Sequence, residues 1–197
     1  MQWQLISEPD PEGLGLGVSD PWEGHLESDD CHALYDVLAS WTSTPDVCWM
    51  GIWEGFGTLY APSGGAVGLA RTKRRRRSAE PNTDPDFDAA LASWEDAADA
   101  VRAAPRFHHP GRDYLLARGS CAAVCLLGSR PLSITPNLVW PEDRAWCVAT
   151  EIDFDSTLVA ATHECAHALL ADDRLEALEV GPADRVDHGG DLINPPA

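Results

Sequence analysis

The chain has 197 residues, of which 44% are hydrophobic and eight are tryptophan, and its formal net charge at pH 7 is −18. This length fits one domain, which can bury a core without a disulfide or a metal ion. The excess of carboxylates repels a phosphate backbone, which excludes general nucleic-acid binding, and no apolar run is long enough to span a membrane.

The N-terminal segment, residues 1–28, is rich in glycine, proline and acidic residues and predicts an irregular arm. It has neither the basic nor the apolar region of a signal peptide, so we expect a cytoplasmic protein whose six cysteines stay reduced. No two cysteines form a CxxC pair, and although Cys121 and Cys125 are spaced to share a helix face, the sequence suggests no second pair for a zinc site.

The first half of the chain predicts two helices and a hairpin. Apolar residues recur at helical spacing from Asp29 to about Ser43, and residues 47–54 and 56–61 are typical of paired strands. Residues 62–85 have almost no large apolar side chain and predict a flexible basic insertion. A second helix is expected over residues 86–104.

The second half begins with a predicted strand at Tyr114–Arg118 and a short apolar segment at residues 122–127. The clearest β pattern follows, because residues 137–140 and 145–153 alternate in polarity on either side of the turn Pro141–Arg144.

Asp155 or Ser156 is expected to cap a third helix that runs to about Ala171. Residues 175–180 predict a last short strand, and residues 181–197 a tail. Together the elements predict a single α+β domain, in which about three helices pack on an antiparallel sheet of about five strands.

One motif, His163-Glu164-Cys165-Ala166-His167, resembles the HExxH helix of zincin metallopeptidases. Two histidines at positions i and i+4 project from the same helix face and can bind one zinc ion. Glu164 is placed to act as general base on a zinc-bound water. The resemblance covers about ten residues. It implies zinc as cofactor and a peptidase-like hydrolysis.

The common third zinc ligand of that family is missing, because position 170 is leucine where the extended motif requires glycine. His188 is the best remaining candidate, since it follows a chain reversal at Gly181 and Pro182. The same residues also describe an ordinary surface helix, with an apolar arc on one side and the histidines on the other. Both interpretations stay open.

A second group of candidate ligand-binding residues surrounds the predicted hairpin. The carboxylates Glu151, Asp153 and Asp155 cluster where the strand leads into the third helix, with Arg144 and Trp140 nearby. Such acids suit a cationic group or a divalent ion such as Mg²⁺ or Ca²⁺, although helix capping and solubility are the favoured explanation.

Two further features carry alternatives. Alternation places Trp49 and Trp53 on one sheet face, where they either pack in the core or line an aromatic pocket. The run Arg74–Arg77 either belongs to a solvated insertion, which is the default interpretation, or contacts nucleic acid, an acidic partner or the acidic surface of the protein itself.

Three segments resemble a group of uncharacterised actinobacterial proteins: Cys48–Gly57, Gly111–Gly119 and, above all, Thr135–Val159, TPNLVWPEDRAWCVATEIDFDSTLV. The resemblance implies no activity, cofactor or catalytic residue. In that group a Gly-Gly-Ser-x-x-Leu-Val type of sequence follows the last segment in place of HExxH.

The sequence thus favours a non-catalytic acidic module without a cofactor, which binds a protein or small-ligand partner. The net charge favours a basic partner. The alternative is a zinc-dependent hydrolase with His163 and His167 as ligands and Glu164 as base.

Overall fold

The computed structural model describes residues 23–60, 95–109, 111–128 and 134–186. The predicted insertion 62–85 and His188 lie outside these ranges, as do most of the arm 1–28 and of the tail 181–197. None of the described helices is long and apolar enough to cross a membrane.

Six antiparallel strands form one sheet in the order β2-β3-β1-β4-β5-β6. In chain order the strands are β1 (Cys48–Trp53), β2 (Arg106–His109), β3 (Arg112–Gly119), β4 (Leu138–Pro141), β5 (Cys147–Thr150) and β6 (Thr157–Ala160).

The helices are α1 (Ser28–Ala39), α2 (helical over 95–102 of the described residues), α3 (Cys121–Gly128) and α4 (His163–Leu170), with a 3₁₀ helix at Gly57–Leu59. The predicted α+β class, with helices packed on an antiparallel sheet in a single domain, is confirmed, with one strand more than expected.

All four helices pack on the same side of the sheet. The strand residues of the two hydrophobic clusters are Cys48, Met50, Ile52, Leu115, Val139 and Val148. The strand register places these side chains on one face, because Met50 lies opposite Val139, which in turn lies opposite Val148. The helices α1, α3 and α4 cover one part of this face and α2 covers the other. We call it the helix-covered face.

A buried asparagine joins three strands at the start of β4. The Asn137 side chain is 3% exposed; its amide nitrogen donates to the carbonyl of Thr150, and its oxygen accepts from the backbone N–H of Trp53 at 2.8 Å. The backbone of Asn137 bonds to Gly51 and Thr150 as well. Because every polar group is satisfied, this burial fixes the register of β1, β4 and β5.

Three predicted elements were wrong. The hairpin strand predicted at residues 56–61 does not form over its described part, 56–60, because the chain turns into the 3₁₀ helix and β1 pairs with β3 and β4 instead. The third helix does not start at Asp155 or Ser156, since Thr157–Ala160 pairs with β5 and α4 begins only at His163. Residues 175–180 form no strand, and their side chains are largely exposed.

Candidate functional site

The second face of the sheet, which we call the open face, carries no helix among the described residues. Its side chains alternate with those of the core, so that Trp49, Trp53 and Trp140 point away from the helices. Trp49 and Trp53 do share a face, as predicted, and it is the one that the helices leave open.

One row of side chains crosses five strands on this face. The register aligns Arg118 with Trp49 and Trp49 with Trp140, and it aligns Cys147 with Ala160. The Arg118 guanidinium lies 5.7 Å from the centre of the Trp49 ring. The row therefore changes from a cation and two large indoles to two small side chains, and this step in size leaves a hollow beside Trp140.

An aromatic layer covers the neighbouring part of the open face. Phe107 stacks on Tyr114 with ring centres 5.1 Å apart and meets the edge of Trp140 at 6.3 Å. Phe107 also lies over Gly51, where an added Cβ would come within 3.0 Å of its ring. The glycine thus makes room for the ring, which holds one side of Trp140 in place.

The hollow is an open groove of about 690 Å³. It lies between the β4–β5 turn, β6 and the start of α4, and it is lined by Trp140, Arg144, Ala145, Trp146, Cys147, Ala160, Ala161 and Thr162. This volume falls in the range of ligand-binding clefts. Among the described residues that line it, Arg144 is the single charged one.

The turn that carries Arg144 is anchored by its neighbour Asp143. The Asp143 carboxylate accepts hydrogen bonds from the hydroxyls of Thr42 and Ser43 and from the backbone N–H groups of Ser43 and Ala145. These donors, with the Ser43 hydroxyl first, lower the pKa of Asp143 to about 2. Arg144 itself adopts a φ of 58°, a conformation that is unusual for a residue with a side chain.

Arg144 differs from Arg102, Arg106 and Arg174 in its partners. Arg106 binds Glu54, Arg102 binds Asp99, and Arg174 binds both Asp36 and Asp172. Within the part of the chain that the structure describes, the exposed Arg144 guanidinium forms no ion pair or hydrogen bond. The groove therefore presents a cation that no carboxylate among the described residues pairs with.

The predicted acidic cluster is separated from Arg144 and Trp140. Arg112 reaches across from β3 to bind the carboxylates of Glu151 and Asp153, the latter at 2.9 Å, and its guanidinium also lies 5.7 Å from the Trp53 ring centre. Asp155 is exposed, and among the described residues it forms no ion pair with Arg112. The Arg112 guanidinium therefore neutralises one of these two negative charges within the protein.

His163 and His167 stand together on α4. Both side chains are exposed, and the ring centres are 4.7 Å apart at an interplanar angle of 82°. Thr162 caps the helix by accepting from the backbone N–H of Cys165. The pKa of Glu164 is lowered by a hydrogen bond from its own backbone N–H and another from the Thr162 hydroxyl, so this carboxylate helps to close the first helical turn.

The described residues do not complete a metal site around this pair. They contain no group of three or more His, Cys, Asp or Glu side chains that could hold a metal ion. The third ligand suggested by the sequence, His188, lies outside them.

The groove was only partly foreseen from the sequence. Arg144 and Trp140 were singled out, but their neighbours Cys147, Ala160 and Thr162 were not, because the row joins residues of five strands. The available signal was the strand alternation itself, which places indoles where a solvated strand face usually has polar side chains.

No family model, curated protein or solved structure matches the chain.

Proposed function

We propose that this protein is a non-catalytic binding module, and that the groove on its open face binds an extended segment of a partner protein through a carboxylate and a neighbouring apolar side chain. The observation that carries this proposal is the groove of about 690 Å³ whose one charged lining residue, Arg144, has no carboxylate partner among the described residues.

The dimensions of the open face favour an extended segment over a small molecule. Neighbouring strands lie about 4.8 Å apart, so the row from Arg118 on β3 to Ala160 on β6 spans roughly 19 Å. An extended peptide rises about 3.3 Å per residue, and five or six residues cover that distance. The half-buried indole of Trp140 is suited to an apolar or aromatic side chain.

The charges suggest an acidic segment in the groove. Arg118 and Arg144 lie at this end of the open face, and the guanidinium group forms paired hydrogen bonds with carboxylates. A basic partner, which the net charge of −18 favours, would instead contact the acidic outer surfaces of the helices.

The floor of the groove lies in the part of the chain that resembles the actinobacterial proteins. Thr135–Val159 includes β4, β5 and most of β6, which together form the floor of the groove. If this chain is related to those proteins, as we propose, they have the same groove.

The test selects random octapeptides from a display library against the protein and measures the resynthesised peptides by calorimetry. We expect selected peptides in which Asp or Glu adjoins a large apolar residue. Loss of a charge-assisted hydrogen bond is worth about 1.5–3 kcal/mol, so Arg144→Ala should weaken binding by roughly 10- to 100-fold. Trp140→Ala should weaken it as well.

Arg174→Ala is the matched control, because it removes the same charge from an exposed ion pair on the helical side. It should leave the affinity unchanged. The proposal is wrong if the library yields no binder, if the selected peptides are basic, or if Arg144→Ala binds them as tightly as the wild type does.

A second candidate is the zinc-dependent hydrolase, which the contact of the His163 and His167 rings favours. A catalytic zinc site needs three protein ligands and an open position. Its test is the zinc content of untagged protein beside the variants His163→Ala/His167→Ala and His188→Ala. One zinc ion per chain that is lost in both variants would support this candidate, whereas wild-type protein that stays zinc-free after supplementation would eliminate it.

A further inference from the structure

Four of the six cysteines meet in pairs inside the helix-covered core. Cys31 of α1 and Cys125 of α3 have their sulfur atoms 2.8 Å apart, and Cys48 of β1 lies 3.3 Å from Cys121 of α3. All four side chains are buried in one hydrophobic cluster. The sequence separates the members of the first pair by 94 residues, so only the fold brings them together.

The first pair is close to bonding distance. A disulfide bond measures about 2.05 Å, so the sulfur atoms of Cys31 and Cys125 need to approach by less than about 1 Å. Both residues lie on helices that pack against each other in the same core cluster. A small rotation of the two side chains suffices.

We infer that Cys31 and Cys125 are a redox-active thiol pair, which a peroxide converts into a reversible disulfide between α1 and α3. Hydrogen peroxide is small enough to reach a thiol that is only 4% exposed, as Cys125 is.

The reaction proceeds in two balanced steps. The Cys125 thiolate attacks one oxygen of hydrogen peroxide, the O–O bond breaks, and a sulfenic acid and hydroxide form. The Cys31 sulfur then attacks the Cys125 sulfur; the S–O bond breaks, and the departing oxygen leaves as water with the proton of the Cys31 thiol. Two thiols are oxidised by two electrons, and the peroxide is reduced.

The surroundings favour Cys125 as the attacking group. The thiol of Cys31 donates its hydrogen bond to the Cys125 sulfur, which is the main reason why the pKa of Cys125 is lowered, and the nearby His32 lowers it further. The pKa of Cys31 is correspondingly raised. A thiolate is the reactive form of cysteine, so the pair has a defined nucleophile and a defined resolving thiol.

The remaining cysteines supply internal controls. Cys48 and Cys121 form a second pair with the longer separation of 3.3 Å, and should link more slowly. Burial raises the pKa of Cys147 and of Cys165, and neither contacts another thiol within the described residues. These two should stay unlinked.

The experiment treats the reduced full-length protein with hydrogen peroxide, blocks free thiols at timed intervals, and maps the linkages by digestion before aspartate residues and mass spectrometry. Two double variants are compared with the wild type. Cys48→Ser/Cys121→Ser keeps the first pair, and Cys31→Ser/Cys125→Ser keeps the second.

We expect a loss of two hydrogen masses per chain, a Cys31–Cys125 link that forms roughly tenfold faster than any other, and its complete reversal by dithiothreitol. Because the link closes a long loop, oxidised wild type should melt about 5–15 °C above the reduced protein. Cys31→Ser/Cys125→Ser should show no such fast reaction.

The inference fails if peroxide produces sulfinic acid at Cys125 without a link, or if Cys121 and Cys125 link to each other. It fails equally if folded wild-type protein forms no disulfide under conditions in which urea-unfolded protein does. Should a double variant not fold, the wild-type linkage map decides between these outcomes by itself.

Discussion

The two faces of the sheet differ in composition, although consecutive residues of the same strands build them. The helix-covered face consists of aliphatic side chains and thiols that are almost free of solvent, such as Ile52 and Cys48, both 0% exposed. The open face consists of half-buried indoles and arginines, such as Trp49 and Arg118. Strand alternation thus separates one set of residues that supports folding from another that is free to bind.

This separation explains why the open face can hold five aromatic side chains without losing order, namely Trp49, Trp53, Phe107, Tyr114 and Trp140. Phe107, Tyr114 and Trp140 pack on each other instead of on a helix, and Arg112 covers Trp53 while binding Glu151. Substitutions on the two faces, and at the turn and helix that border the groove, should therefore have different effects on stability.

The sharpest contrast lies between the neighbours Ile52 and Trp53 on opposite faces of β1. Ile52→Ala creates a cavity in the core and should lower the free energy of unfolding by about 3 kcal/mol. Trp53→Ala should cost only about 1–2 kcal/mol, because this half-buried ring already contacts water. Urea denaturation at neutral pH measures both values. An equal or larger loss for Trp53→Ala would contradict the division of roles between the faces.

Gly51→Ala tests whether the aromatic layer is ordered. The new Cβ comes within 3.0 Å of the Phe107 ring and 3.3 Å of the Leu138 Cβ, so Phe107 has to move. We expect a loss of about 1–2 kcal/mol in the free energy of unfolding and a change in the near-UV circular dichroism. Gly57→Ala, where an added Cβ meets nothing within 4 Å, is the control. An unchanged spectrum for Gly51→Ala would mean that the layer is loosely packed.

Thr162→Ala removes the N-cap of α4 at the edge of the groove. The backbone N–H of Cys165 loses its acceptor, and the free energy of unfolding should fall by about 1 kcal/mol. Thermal melts of the variant and of Thr162→Ser, which keeps a hydroxyl, measure the effect. A stability loss of the same size in Thr162→Ser would rule out capping as its cause.

Asp143→Asn tests the anchored turn through its pH dependence. The pKa of Asp143 is lowered to about 2, so the stabilisation is complete above the unfolded-state pKa near 4 and disappears as the pH falls through 2. The variant should melt about 2 °C below the wild type from pH 7 down to pH 4.5, and this difference should shrink between pH 4 and pH 2. Asp155→Asn, at an exposed carboxylate, should show no difference; a gap for Asp143→Asn that stays constant down to pH 2 would contradict the assignment.

The elements with a long regular pattern were predictable from the sequence. Helix α1 follows from the spacing of Ala33, Leu34 and Leu38, and the alternation of Trp146, Val148 and Thr150 with Cys147 and Ala149 gave the faces of β5. In both cases the spacing of the apolar residues fits only one type of element, a helix for α1 and a strand for β5.

The incorrect predictions concern short segments whose residue pattern fits both the period of a strand and that of a helix. Thr157–Ala160 is too short to distinguish a strand from a helix by its pattern, and pairing with β5 decided in favour of the strand. The edge strand β2 went unnoticed because Arg106, His108 and His109 are polar, and only its pairing with β3 makes it a strand.

The site was predictable only in its separate residues. Arg144 and Trp140 stood out as a cation and an indole beside a turn, but the groove requires β6 to lie next to β5, which is a tertiary fact. Likewise, the sequence showed Cys121 and Cys125 on one helix, whereas the fold supplies the partners Cys48 and Cys31.

Trp146 is the point at which the β4–β5 hairpin joins the helical layer. Its indole is 2% exposed, donates to the carbonyl of Leu38 at the end of α1, and lies 6.0 Å from the Tyr35 ring. An indole in such a dry environment emits at short wavelength and accepts excitation energy from a nearby phenol. Any event that lifts α1 from the sheet therefore shifts the intrinsic fluorescence of the protein, which carries its own optical reporter of that movement.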